Sequence, residues 1–249
     1  MEKGRGESMC IRKRVYQLDG EWTIVLVPEK PNGFGVFIFG DVSHFVDSET
    51  SFWLQNHTRA SVIGELLQAG YTVYTSNLYG RHWGSEASIR LAERIYKLVH
   101  KQEILNDKIH ILAEGMGVLA ANSFQHNKSS RIRSAAYLNP CINVKDLILR
   151  EQKHKLFYKR LIKEIALAYG IDRENVLETL ASKEIEIARC PVKVWHHSIN
   201  SPYSLEKIRE YEQLQEKAGS PIELTLLSDS YQSLGKKIVR FFKSEESNL

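Results

Sequence analysis

The chain has 249 residues, of which 43% are hydrophobic and 26% charged. That suits a soluble globular protein large enough to bury a core without disulfide or metal staples. A net charge of +4 with a pI near 8.8 is too mild to argue for nucleic-acid binding.

The opening segment, Met1 to Arg14, is charged and lacks the apolar stretch of a secretory signal. Trp22–Val27 (WTIVLV) reads as a strand, followed by a turn over Glu29–Gly33. Val36–Phe39 (VFIF) reads as a short buried strand ending at Gly40. A helix is predicted over about Thr58–Gln68, closed by Gly70 in the position that favours left-handed backbone. Tyr71–Thr75 is the next strand. Ser85 is placed to cap a helix running to about Lys101, with Leu91, Ala92, Ile95, Leu98 and Val99 on one face. Lys108–Ala113 (KIHILA) is a strand that runs into Gly115 and a small-residue helix, Val118–Phe124. Ser134–Leu138 is stopped by Asn139-Pro140. Further on come a strand at Val192–His196, a helix from Leu205 to about Lys217, a strand at Ile222–Leu227 and a last helix through Phe242.

Short apolar strands alternating with amphipathic helices predict an α/β fold: a mostly parallel central sheet with helices on both faces. Between Cys141 and Cys190 the pattern becomes helical and charged. The simplest division is a core of 1–142 and 190–249 with a helical lid insertion, 143–189, over the sheet's C-terminal edge, where open α/β sheets bind ligands. Cys10, Cys141 and Cys190 show no CxxC spacing, so neither a disulfide framework nor a zinc site is suggested. No run approaches the ~18 apolar residues of a membrane span. A reducing, cytoplasmic setting is expected.

The sharpest local feature is Ile111-Leu112-Ala113-Glu114-Gly115-Met116-Gly117-Val118-Leu119-Ala120-Ala121. A strand passes through a glycine-rich turn straight into a helix of small residues, the setting of a nucleophile elbow. Here the sequence resembles the α/β-hydrolase superfamily, its lipase- and esterase-like members in particular, over roughly residues 13–142 and 190–243. Its small-x-Ser-x-Gly motif becomes Ala113-Glu114-Gly115-Met116-Gly117, with Gly115 at the nucleophile. The His-Gly-x-x-Asp pattern after the later strand becomes His196-His197-Ser198-Ile199-Asn200, with Asn200 at the acid. The segment that supplies the general base becomes Tyr231-Gln232-Ser233-Leu234-Gly235, with Gln232 at the base. The resemblance thus implies a vestigial triad at Gly115, Asn200 and Gln232, and none of these residues can do the triad's chemistry. Asn77-Leu78-Tyr79-Gly80-Arg81-His82-Trp83-Gly84-Ser85 resembles the Asp-Leu-x-Gly-Arg-Gly-x-Ser segment of lipase-like members, with Asn77 for Asp and an extra residue near His82-Trp83.

Phe39-Gly40 lies where many members have His-Gly. The resemblance implies two surviving oxyanion donors, one backbone N–H from that loop and the N–H of Met116, able to hold an anion or carbonyl oxygen. Asp41, Ser43 and His44 follow in the same loop. They read either as a polar surface loop or, with His82, as a source of a base for triad-free chemistry. Glu114 is either a displaced acid or a residue packed beside the elbow. His196 and His197 point to opposite faces of a strand, which argues against a shared metal. In the insertion, Phe157, Tyr158, Leu161, Ile162 and Ile165 form a stripe suited to packing over an apolar cavity. Arg150, Lys153, Lys155, Lys159, Arg160 and Lys163 make the opposite face basic. That is either a solvated surface or a contact for anionic lipid or an acidic partner.

The reading that follows is a hydrolase-fold protein without serine-hydrolase activity, binding a small apolar or acyl-type ligand, or a partner protein, under its lid. Its ligand-binding residues would be Phe39, Gly40, Asp41, Ser43, His44, Glu114, Gly115, Met116, Phe157 and Leu161. No metal, cofactor or nucleic acid is expected. The alternative is an active ester or thioester hydrolase, or a lyase, using non-triad residues.

Overall fold

A computed structural model describes residues 12–197, 201–227 and 233–246. Asn200, Gln232 and Cys10 lie outside the described residues. Eight strands form one sheet: β1 (Arg12–Leu18), β2 (Glu21–Val27), β3 (Gly35–Phe39), β4 (Thr72–Ser76), β5 (Ile109–Glu114), β6 (Ile132–Leu138), β7 (Val192–His197) and β8 (Ile222–Leu227). Their spatial order is β1-β2-β4-β3-β5-β6-β7-β8. β1 pairs antiparallel with β2, and β2 antiparallel with β4. From β4 to β8 every pairing is parallel. The predicted mostly parallel sheet is therefore present, with an antiparallel edge at β1 and β2.

Side-chain alternation divides the core. On β3, Phe37 and Phe39 join the cluster on one face, while Val36 and Ile38 join that on the other. The first face is covered by α3 (Glu86–Gln102), α4 (Gly117–Asn127) and α8 (Leu205–Lys217), which contribute Ile95, Phe124 and Tyr211. The second carries α1 (Phe52–Gln55), α2 (His57–Gln68) and α9 (Leu234–Ser244), through Trp53, Leu66 and Phe242. All five residues of β3 are buried, as a strand covered on both faces requires.

Two details depart from expectation. Ser85 stands at the N-cap of α3 but makes no side-chain cap; instead the Ser88 hydroxyl donates to the Ser85 carbonyl at 2.7 Å. Edge strand β1 and the four-residue α1 were not predicted.

Between β6 and β7 the chain inserts α5 (Val144–Glu151), α6 (Lys155–Tyr169) and α7 (Val176–Ala181). They bury a third cluster in which Ile148, Leu161, Ile162, Ile165 and Leu180 meet Trp83 and Met116 of the core. The insertion thus rests directly on the residue after Gly115. The stripe predicted on α6 is correct for Leu161, Ile162 and Ile165, which are buried. Tyr158 is half-buried, and Phe157, one turn before Leu161 at the edge of the buried arc, is 64% exposed beside an open groove. Among the described residues, no helix is long and apolar enough to cross a membrane.

Candidate functional site

The elbow sits where β5 ends and α4 begins. Gly115 has φ +52°, in the left-handed region that glycine enters with least strain. Its carbonyl accepts from Cys141 N–H at 2.9 Å, and its N–H donates to the Leu138 carbonyl at 3.0 Å. Gly117 lets the start of α4 close onto β3, since a Cβ there would lie 2.4 Å from the Phe39 carbonyl oxygen.

What stands over Gly115 is the carboxyl group of Asp41. A Cβ built on Gly115 would fall 2.1 Å from Asp41 Cγ and 2.2 Å from its Oδ1. Real side chains do not approach so closely. The space that an elbow side chain would use is therefore occupied from the loop after β3. Asp41 Oδ1 accepts from Met116 N–H at 2.8 Å and from the Tyr203 hydroxyl at 2.9 Å. Met116 N–H is the donor expected to hold an incoming oxyanion, and here it already holds a carboxylate.

The second expected donor is engaged too. Asp41 N–H donates to His44 Nδ1 at 2.9 Å, and His44 N–H donates to the Asp41 carbonyl at 2.8 Å. The expectation that both N–H groups stand ready for a ligand oxygen is therefore corrected: the loop folds back and satisfies them internally.

The same pairing assigns the His44 tautomer. Nδ1 accepts, so the proton sits on Nε2, which faces Glu114 Oε2 at 3.9 Å. Burial, helped by the positive charge of Arg59, lowers the His44 pKa to about 3. The ring is neutral at physiological pH, stacked on Phe52 with centroids 4.0 Å apart. Asp41 is half-buried and His44 has its side chain largely buried, while Ser43 alone of the three is exposed. The polar surface loop among the readings fits Ser43 only.

Glu114 is buried and gripped by Arg59. Arg59 Nε donates to Oε2 at 3.0 Å, and its Nη2 donates to Oε1. Burial pushes the Glu114 carboxyl above the usual carboxylate range, against the pull of Arg59. The arrangement is a forked buried ion pair, in which the guanidinium matches the carboxylate edge. Tyr203 and Cys141 complete the shell. Burial first, and the nearby Asp41 charge second, raise both pKa values, so one is a neutral phenol donor and the other an un-ionised thiol.

Elsewhere, His82 is buried and accepts Gly84 N–H on Nδ1 at 3.1 Å; burial lowers its pKa to about 4. It is a neutral structural histidine outside the Asp41 cluster. His196 is buried, whereas His197 uses its N–H on Asn139 Oδ1 at 2.8 Å. Among the described residues, no group of three His, Cys, Asp or Glu is placed to hold a metal.

The structure thus gathers Phe39, Gly40, Asp41, His44, Glu114, Gly115 and Met116 into one cluster. Phe157 and Leu161 instead line a groove of about 490 Å³ between α5, α6 and the loop before α3. On the basic face of α6, Arg160 Nε pairs with Glu164 at 2.8 Å, and on α5 Arg150 donates to the Pro202 carbonyl; Lys155, Lys159 and Lys163 are exposed. Sequence reasoning missed Arg59 and Tyr203. Each reaches the cluster across a long stretch of chain and carries no motif.

No protein-family model matches the chain, and no curated protein matches it by sequence. Solved structures do. Est1E from Butyrivibrio proteoclasticus is similar at a TM-score of 0.67 and 11% identity, over 95% of this chain and 99% of that one. Fluorophosphonate-binding serine hydrolase F of Staphylococcus aureus is similar at 0.63 and 14% identity, over 94% and 97%. An esterase of Pyrococcus furiosus is similar at 0.63 and 12% identity, over 98% and 94%. Each of these is an α/β-hydrolase.

Proposed function

We propose that this chain, which has the α/β-hydrolase fold, does not perform serine hydrolysis and serves as a binding protein built on that fold. One observation carries the reading: the Asp41 carboxylate fills the space over Gly115 and takes the Met116 N–H. Acyl transfer at an elbow needs a nucleophile and a vacant oxyanion site beside it. Gly115 supplies no nucleophile, and a substrate oxygen would have to displace a carboxylate held by two hydrogen bonds. Asn200 and Gln232, at the positions of acid and base by resemblance, support the same reading. The insertion, residues 143–189, acts as a lid over the core, and a small apolar or acyl-type ligand, or a partner protein, binds against it.

The test is hydrolysis of short- and long-chain nitrophenyl esters. The wild-type protein is expected to give no turnover above the buffer rate. Restoring Gly115→Ser, Asn200→Asp and Gln232→His should gain activity only when Asp41→Gly is added, since the serine and the carboxylate compete for one space. Wild-type turnover that disappears in Asp41→Asn would contradict the proposal and favour chemistry by non-triad residues.

A further inference from the structure

Helix α6 packs against the rest of the protein through Leu161, Ile162, Ile165 and Ala166 and turns its opposite face outward. Two leucines stand on that outward face: Leu156 is 83% exposed and Leu167 81%. Three helical turns separate them, so they lie on one side of the helix, about 16 Å apart along its axis. The apolar stripe of α6 is already spent on its inner face, and neither leucine takes part in it. A lone exposed leucine is ordinary. These two are distinguished by their alignment and by what surrounds them.

Cations border them. By helical spacing Lys159 and Lys163 fall on one side of the line joining the leucines and Arg160 on the other, with Lys155 at the helix start; all four are exposed. Against them α6 carries one carboxylate, Glu164, which Arg81 and Arg160 already hold. Lys155, Lys159 and Lys163 make no ion pair among the described residues. Asp172, Glu174 and Glu178 of the insertion come only after Gly170, whose left-handed φ of +64° ends the helix. The outward face of α6 is therefore cationic with two apolar tips, and its single carboxylate is neutralised.

We propose that this face docks the protein on an anionic lipid surface, with Lys155, Lys159 and Lys163 against the headgroups and Leu156 and Leu167 entering the layer beneath them. Lysine and leucine interleaved on one helix crest suit such a surface, because long lysine stems carry their charge up to the headgroups while leucine tips go deeper. A protein partner fits less well. Protein interfaces gather apolar residues into a core depleted of charge, and of lysine in particular, whereas cations border both outward leucines here. The docking needs no chemistry at the elbow and stands apart from the proposed function.

The experiment is co-sedimentation of the whole protein with vesicles of phosphatidylcholine, alone or with about one third phosphatidylserine. Binding is expected on the anionic vesicles only, and should weaken as salt is raised. Lys159→Gln with Lys163→Gln should weaken it about 25-fold, about fivefold for each charge lost. Leu156→Gln with Leu167→Gln should weaken it about tenfold and keep the preference for anionic vesicles. All four side chains are exposed, so both pairs should melt as the wild type does. Lys97→Gln with Lys101→Gln removes the same net charge from the last turns of α3 and should change binding by under about twofold. The proposal is overturned by equal binding to neutral vesicles, by no binding to anionic ones, or by a leucine pair that binds as the wild type does. A loss in the α3 pair as large as that in the α6 pair would also overturn it, by reducing the attraction to net charge. Soluble polyglutamate that binds as tightly as the anionic vesicles would give the face to an acidic protein instead.

Discussion

The floor of the elbow and the loop around Trp83 meet at Met116, yet they are built on opposite principles. At the elbow the buried charged and polar groups pair with one another: Asp41 with Met116 and Tyr203, His44 with Asp41, Glu114 with Arg59. Around Trp83 the backbone is strained, one buried donor has no partner among the described residues, and a groove lined by the same residue stands open. A satisfied polar network adds rigidity and leaves nothing over for a ligand. Strain and an orphan donor are the reverse, a standing stability cost. At the elbow the Asp41 carboxyl group stands over Gly115 and takes the Met116 N–H.

The comparison predicts large stability effects at the elbow and small ones at the loop. The largest is expected from Arg59→Ala, which leaves the Glu114 carboxylate buried without its fork and should cost about 3–5 kcal/mol by urea denaturation. Arg59→Met with Glu114→Leu should recover most of that loss. Should Arg59→Ala cost under about 1 kcal/mol, the elbow would not be the rigid centre described.

Next is pH. The His44 pKa is lowered to about 3 and that of His82 to about 4, against about 6.5 in an unfolded chain. The unfolded state therefore takes up protons first as pH falls. Stability is complete above about 6.5 and declines as pH drops toward 4, by roughly 2 kcal/mol per histidine at pH 5. His82→Asn and His44→Gln should each remove their own share of the slope, and the rest belongs to His196 and His110, whose pKa values burial also lowers. A flat profile between pH 7 and 5 would show that neither ring is held neutral by burial.

Smaller still is Tyr169→Phe, which removes one hydrogen bond to the Trp83 carbonyl and should cost about 1 kcal/mol. Trp83→Phe deletes a donor that has no partner among the described residues, so its cost should be that of the lost ring volume alone, about 1–2 kcal/mol.

Much of this architecture is legible in the sequence. Parallel strands buried on both faces read as unbroken apolar runs, Gly40 and Asn139-Pro140 mark the ends of two of them, and Gly70 closes α2. β1 escaped because RKRVYQL is a polar, half-exposed edge strand whose charges protect the edge and hide its period. α1 has four residues, too few to show a helical repeat. The glycine at the elbow was visible from its motif, and Asp41 stood out as a polar residue at a strand end. That the two share one space was not visible, because the contact between Asp41 and Met116 joins residues 75 apart in sequence. Tyr203 lies 162 residues from Asp41, and Arg59 lies 55 from Glu114. Only tertiary packing brings such partners together, and no local periodicity records it. Trp83 lay inside a segment valued for its resemblance, where one orphaned N–H leaves no trace.

The central claim is that the Asp41 carboxylate stands in for the missing elbow side chain, and a double-mutant cycle tests it most directly. Gly115→Ala would be measured by urea denaturation in the wild-type background and again in Asp41→Gly. The cost of placing alanine in left-handed backbone is common to both and cancels. Alanine should therefore destabilise the wild type more than it destabilises Asp41→Gly, by a coupling of about 1–3 kcal/mol. Equal costs in the two backgrounds would mean that Asp41 does not occupy the space above Gly115, and would contradict the account.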